Sequence, residues 1–533
     1  MHDLLTDPLI GVLIDDEPRS ASLPEVLALL SEGRIDGYTG LRAHQSDSWH
    51  VFLVQLAAAI LARHPTDTLP VDVSYWRDGL LELAEGQASA WHLLEEDVTK
   101  PAFLQHPWSS WKDEAEAYGV KFDDQGRVKS IKIKAHTPDQ LDVVLTSRNH
   151  DVKACRVSDA DVEAWLFALL MHQTTNGYLG KGYGVVRMYT GTGNRPIVSW
   201  TSDRHPARRF QEEAMLVRDM RKDLLMRYGY RDDGHVLTWV KPWGRSEHQY
   251  EDALQGLDPC FIEACRTVRL RPNTAGGVVA LNAPRKGRQI GPKSMEEGDV
   301  GDPWIPLNLQ KEKPVALNVS KSGFTPKLVT NLLFEQGFEL TALQKARAGG
   351  TAGWLIASAL ARGQGKTEGF HRLELPVPAK VKAALFSREG ASARERGAKC
   401  AQDLLADAKN AAGALRTALF ILAEGGPGQA DFQKKAIKSW VDASASAFEQ
   451  SWPQHYYPAL WRAFDEPTET VFSNWRRELV AITRELLDTA VQRLPTPGSR
   501  RWRALTRSHA ELTRALRKHH LLPEAAPDLE KTA

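Results

Sequence analysis

Cysteine is scarce in this chain: four in 533 residues, Cys155, Cys260, Cys265 and Cys400. No two form a C-x-x-C pair. Cys260 and Cys265 stand close together, but no second pair at metal-ligand spacing accompanies them. A structural zinc site is therefore not expected, and buried free thiols in a reducing compartment fit better. Net charge is equally scant, +1 from 68 basic and 67 acidic residues, so any nucleic-acid contact must come from local basic patches. No apolar run approaches the roughly 18 residues of a membrane span. The stretch Met1 to Pro8 has no basic region leading into an apolar core, so no signal peptide is expected, and the chain reads as cytoplasmic. Catalytic signatures are missing too: there is no H-E-x-x-H and no G-x-S-x-G. His106, His172 and His205 sit near polar residues without companions that resemble a triad or a metal site. No catalytic residue, metal or cofactor is expected.

What is present is an ordinary globular composition, 42% hydrophobic and 25% charged. At about 150 residues per domain the length allows two to four domains. Sixteen tryptophans are many for this length; several sit beside proline or basic residues (Trp108, Trp239, Trp243, Trp304), and most are expected in cores or domain contacts, with a minority left to touch a partner. Residues 1–380 mix short strand-like and helical pieces, rich in glycine and proline. Trp49 to Ala62 reads as a buried helix. Val120 to Ala135 alternates like a hairpin around Asp124-Gln-Gly126. Ser158 to Gln173 reads as a helix with Ser158 as N-cap. Arg204 to Arg227 looks helical, its many charges forming a solvated face. Beyond Pro376-Val-Pro378 the pattern is helical over Ser392 to Glu424, Asp431 to Trp452, Thr468 to Leu494 and Ser499 to His520. In the third of these, Phe472, Trp475, Leu479, Ile482 and Leu486 form one stripe; in the fourth, Trp502, Leu505, Leu512 and Leu516 do so. The expected class is α+β: a mixed globular domain over 1–380, a C-terminal four-helix bundle over 381–522, and a disordered tail over 523–533.

Three glycine-rich or basic segments invite a ligand. Gly365-Lys366-Thr367 matches the end of a phosphate loop, but that motif needs glycine at position 360, which is Leu360. The preceding Ala352 to Ala361 also reads as helix rather than the required strand. What remains is Gln364 between glycines, with Arg362 and Lys366 beside it. Gly180-Lys-Gly182-Tyr-Gly184 lacks the G-x-G-x-x-G spacing. Its glycines allow either tight turns or the close approach of a phosphate backbone. Arg285-Lys286-Gly-Arg288, followed by Lys293, can neutralise phosphates or simply face solvent. The last helix carries Arg500, Arg501 and Arg507 among its seven cations against one acid, Glu511, leaving a basic outer face.

Several stretches, in order, resemble one family, the large CasA-type subunit of the type I-E CRISPR surveillance complex Cascade. They are Leu4-Leu-Thr-Asp-Pro8, Phe103-Leu-Gln-His-Pro107, Leu237-Thr-Trp-Val-Lys-Pro-Trp243, Arg266-Thr-Val-Arg-Leu270, the Gln364 segment, and Ala412 to Gly425. The resemblance implies a non-catalytic subunit that recognises the protospacer-adjacent motif of duplex DNA. It implies help with unwinding and R-loop formation, a hold on the displaced strand, and docking of the helicase-nuclease. Implied partners are the CRISPR RNA-bound backbone subunits and the small subunit. Gln364 matches the family's wedge, although Gly363 stands where asparagine is frequent. Gly180, Gly182 and Gly184 match its minor-groove loop. Lys293 matches its lysine finger, with Lys286 second. Asn149 matches a residue touching guide and motif. Arg285, Arg288, Arg500, Arg501 and Arg507 remain for the DNA backbone. Two rival readings stay open: a nucleotide-dependent enzyme using Gly365-Lys366-Thr367, and a scaffold with no nucleic-acid role.

Overall fold

The computed structural model describes residues 2–108, 120–125, 128–131, 135–142, 161–176, 195–242, 251–252, 254–273, 277–282, 289–290, 298–346, 352–363, 366–386, 391–428, 430–493 and 498–523. The chain divides into two compact units. The first comprises Met1–Phe324, Gly337–Arg347 and Thr351–Pro376; the second comprises Thr325–Gln336, Ala348–Gly350 and Val377–Ala533.

The first unit opens with β1 (Ile10–Ile14) and β2 (Glu17–Ala21), an antiparallel hairpin joined on its other side by β3 (Gly37–Tyr38). Helix α1 (Leu23–Glu32) starts at Ser22, whose N–H donates to Glu25 Oε2 at 2.7 Å in a reciprocal capping box. It stops at Gly33, whose φ of 88° is left-handed. Helix α2 (Ala43–Arg63) is the central rod of the unit. Trp49, Phe52, Leu56 and Ile60 are all buried, and so are their neighbours on the opposite face, which is why the run is apolar all round. Trp49 stacks on Phe52 at 5.4 Å and meets Phe167 edge-on at 5.3 Å. Helix α3 (Val73–Leu83) is capped by Asp72, which accepts from the Ser74 N–H at 2.9 Å.

The expected hairpin is present as β4 (Val120–Phe122) and β5 (Val128–Ile131), antiparallel with a register shift at Lys121/Phe122. Helix α4 (Val162–Thr174) begins after Asp161; Ser158, the expected cap, lies outside the described residues. Helix α5 spans Pro206–Tyr228. Its face is not simply solvated: Arg209, Glu213 and Arg221 are buried and ion-paired, with Arg221 Nη1 donating to Asp258 at 2.6 Å. Trp108, Trp239 and Trp304 are core residues, as expected. Cys260, Cys265 and Cys400 are buried free thiols, whereas Cys155 lies outside the described residues. Burial pushes the Cys265 thiol up to about 12.

The segment 352–361 is a strand, not the helix expected. Antiparallel to β6 (Ile197–Thr201), β7 (Gly353–Gly363) pairs Trp354↔Thr201 through Ser358↔Ile197. Its other neighbour is β8 (Lys366–Val377), in the order β8-β7-β6. Leu355 to Ala361 are buried residue after residue. With both faces covered, no polar alternation marks the strand, and its alanines and leucines favour helix until pairing overrides them.

The second unit is helical: α6 (Pro326–Leu333), α7 (Ala379–Phe386), α8 (Ala391–Ala423), α9 (Lys435–Ser451), α10 (Pro453–Arg462), α11 (Thr468–Gln492) and α12 (Gly498–Lys518). The long α8 packs against α9, α11 and α12, which completes the four-helix set. Trp475 Nε1 donates to the Leu404 carbonyl at 3.1 Å, and Thr330 and Tyr456 hydroxyls meet at 2.8 Å. Pro453 starts a separate short helix where the sequence suggests one run ending at Trp452; proline suits a first helical turn. The buried stripe of α11 is Val471, Trp475, Leu479, Thr483, Leu487 and Ala490 rather than one centred on Phe472 and Leu486. In α12 the buried residues are Ala504, Ser508, Leu512 and Leu516, while Trp502 is 78% exposed rather than in the stripe. The tail from 524 on lies outside the described residues.

Candidate nucleic-acid interface

The sequence places Gln364 beside a truncated phosphate loop; the structure puts its flanks in a β-hairpin frame. Strands β7 and β8 are sheet neighbours, and only Gln364 and Gly365, which lie outside the described residues, separate their ends. Neighbouring strands joined by two residues run antiparallel. Arg362 belongs to the end of β7 and Lys366 to the start of β8. A phosphate loop requires strand, loop, then helix. Here a strand does precede the motif, contrary to expectation, but Lys366 and Thr367 open a second strand. The nucleotide reading fails for that reason instead.

Asn149, Gly180, Gly182, Gly184, Arg285, Lys286, Arg288 and Lys293 lie outside the described residues. Residues near three of these segments are described, and their bonds lead to one stretch of α2. Asp142, directly before segment 143–150, is buried and accepts from Gln45 Nε2 at 2.7 Å and pairs with His44 Nε2 at 2.7 Å. Thr175, two residues before segment 177–194, donates its hydroxyl to Ser48 Oγ at 2.9 Å. Arg372, on β8, donates Nε to Asp47 Oδ2 at 2.9 Å, and Phe370 sets its ring edge-on to His44 at 6.2 Å. Four residues within one turn and a half of α2, His44, Gln45, Asp47 and Ser48, therefore hold the approaches to three of the candidate segments: those of Asn149, the glycine run and Gln364.

Behind this mount lies a charge network. Arg209 donates Nη1 to Asp47 at 2.6 Å, Nε to Glu213 at 2.9 Å and Nη2 to Ser199 Oγ at 3.1 Å. Glu213 also meets His50 at 3.0 Å and accepts from Trp304 Nε1 at 3.0 Å. Burial alone raises the Asp47 carboxyl, but Arg209 and Arg372 outweigh it and hold it at about 2. Glu213 is pulled below its ordinary value by Arg209 and His50 against the same burial. Burial first, then Arg209, lowers His50. The network thus fixes charge rather than offering a titrating base. The far end of segment 177–194 is held at Arg195, whose Nε donates to Asp302 at 2.9 Å. Asp302 lies five residues past segment 291–297.

On α12, Arg500 and Arg501 are exposed. Arg507 donates to the Gly426 carbonyl at 2.6 Å and Arg503 to Gly425 at 3.1 Å, which satisfies carbonyls just past the end of α8. Glu511 takes a bidentate pair from Arg514. Among the described residues no group of three or more His, Cys, Asp or Glu could hold a metal, and no helix is long and apolar enough to cross a membrane.

The mount itself escapes the sequence reading. Its visible trace is the polar run His44-Gln-Ser-Asp-Ser48 heading an otherwise apolar helix, and the Arg209/Glu213 pair four apart on α5. Of the histidines set aside as structural, His172 lies in α4, and His205 directly precedes α5 and pairs with Asp36 at 2.9 Å.

The fold has solved counterparts. It is similar to Cse1 from Acidimicrobium ferrooxidans, with TM-score 0.59 and 14% identity over 97% of this chain and 99% of that one. CasA from Thermus thermophilus gives 0.60 and 14% over 97% and 99%. A chain of a CRISPR RNA-guided surveillance complex gives 0.55 and 15% over 96% and 99%. Among curated proteins no match is found. The family model for CRISPR-associated protein Cse1 matches residues 3–486, and since that span is nearly the whole length, the chain belongs to the Cse1 family.

Proposed function

We propose that this chain is the large, non-catalytic subunit of an RNA-guided surveillance complex. In this reading it works in the cytoplasm with CRISPR RNA-bound backbone subunits and a small subunit. It recognises a short motif in duplex DNA, starts unwinding beside it, helps form the R-loop, and docks the helicase-nuclease. The observation that carries the reading is the convergence on His44 to Ser48 of the approaches to the Asn149, glycine-run and Gln364 segments. A minor-groove reader needs amides, backbone groups and cations at one place, because that groove offers only a degenerate pattern. Guide pairing then reads the sequence while the protein reads motif and shape.

The mechanism follows from the chemistry of the parts. The glycines of 180–184 let backbone approach the groove floor, and Lys293 or Lys286 supplies the cation. Gln364, at the junction of β7 and β8, enters the duplex as a neutral amide. Unstacking one step costs about a few kcal/mol, which phosphate contacts from Arg362, Lys366, Arg285, Arg288, Arg500, Arg501 and Arg507 offset. The test is duplex binding by the assembled complex. Gln364→Ala should abolish R-loop formation while motif capture persists; intact R-loops would remove the wedge role. Lys293→Ala should weaken motif-dependent binding more than Lys286→Ala, and the reverse order would move the finger to Lys286. Absence of any motif-dependent shift by the native complex would leave the scaffold reading in its place.

A further inference from the structure

Arg372, which holds the approach to Gln364, is the charged link between that hairpin and α2. It sits on β8, six residues past Lys366. Its Nε donates to Asp47 at 2.9 Å, and Nη1 pairs with Glu374 on the same strand. Asp47 is 2% exposed and is itself held by Arg209, so it is a fixed point. Glu374 also takes Arg204 at 2.8 Å, and Arg204 lies over the Trp354 ring at 4.0 Å, at the start of β7. Both strands of the hairpin are thus clamped at their base, one by an ion pair and one by a cation on an aromatic face. Beside the clamp lies a cavity of about 370 Å³, lined by Ser46, His50, Arg204, Arg372, Ile356 and Glu374 among others. Packing alone does not fill the space between the base of the hairpin and α2; the ion pairs span it.

Resting on the proposed function, we infer that Arg372, through Asp47, is a positioning residue for duplex opening. It sets the Gln364 hairpin in register with the Asn149 and glycine-run segments, whose approaches hang on His44, Gln45 and Ser48, on either side of Asp47. Motif contact and strand separation then share one rigid reference. Arg372 touches no DNA in this scheme. Its guanidinium offers one N–H to Asp47 and another to Glu374 in a fixed fork, a geometry that lysine does not reproduce.

The informative variant is Arg372→Gln, because the Arg372 side chain is 31% exposed and its loss leaves the Asp47–Arg209–Glu213 pairs in place. Three quantities are read on the assembled complex: preference for motif-bearing over motif-free closed duplex, the rate of opening of a fully paired target by base fluorescence beside the motif, and the rate on a target with those first pairs mismatched. Arg372→Gln should keep motif preference, slow opening of the paired target about tenfold, and regain the native rate on the pre-opened target. Arg372→Lys should fall between Arg372→Gln and the native protein. The inference is overturned if Arg372→Gln opens paired DNA at the native rate while Gln364→Ala does not; the wedge reading then survives without it. It is equally overturned if the complex fails to assemble or the defect persists on the pre-opened target, since either marks a merely structural role. If Gln364→Ala itself opens paired DNA normally, the wedge reading falls and this inference with it.

Discussion

In the first unit Arg209, Asp47 and Glu213 are 6%, 2% and 0% exposed and bond one another between two helices. In the second, Arg476 and Asp407 also meet at 2.8 Å, but at 36% and 10% exposure, and they link α11 to α8. The same chemistry serves two ends. Buried pairs cost desolvation and often contribute little net stability; what they fix is geometry, and the first unit has several segments to hold in register. The helical unit gains its order from apolar stripes, and the arginine of this pair stays near water.

Four experiments bear on that contrast, from the largest effect down. Arg209→Met strands Asp47 and Glu213 in the core and should cost roughly 3–5 kcal/mol, seen as a lowered midpoint in denaturant; a change below about 1 kcal/mol would make the network dispensable. Acid should act next. The Asp47 carboxyl falls from 3.8 to about 2 on folding, a stabilisation of roughly 2 kcal/mol at about 1.4 kcal/mol per unit. A depressed carboxyl stabilises fully above its unfolded value, so this contribution should fade as pH drops from about 4 through 2. Asp407 runs the other way: burial raises it more than Arg476 lowers it, so its protonation favours the folded state as pH falls, and Asp407→Asn should make acid unfolding slightly steeper. Arg507→Gln, losing one carbonyl contact past α8, should cost about 1 kcal/mol. If Arg507 also meets DNA phosphate, the salt slope of duplex binding should fall by about 1. Trp502→Ala, on an exposed site, should stay within about 0.5 kcal/mol; a larger loss would mean that α12 packs through that ring.

The helices of the second unit were legible because long apolar periodicity survives in α8 and α11. The break at Trp452–Pro453 is carried by the proline, which opens the next helix. Strand β7 was not legible, since burial on both faces erases alternation and leaves an Ala/Leu run that mimics helix. The charge on α5 misled in the opposite sense: Arg209 and Glu213 look like a wet face until Asp47, 162 residues away, comes to meet them. Glycine and charge mark the glycine-run, Gln364 and Lys293 segments and resemblance alone marks Asn149, but the stretch of α2 that gathers three of their approaches is not legible locally, because the bonds that make it a mount are long-range.

Strand β7 pairs with β6 only from Trp354 to Ser358. Ala359 to Gly363 continue β7 beyond that ladder, a stretch of five residues that spans about 16 Å at 3.3 Å per residue. Such a stretch is a ruler graduated in two-residue steps. Adding two residues to each strand would carry its tip about 7 Å farther with the same faces up. Adding one would turn every side chain over. The reach of the Gln364 junction is therefore set by strand arithmetic, and natural variation in its length should come in even increments.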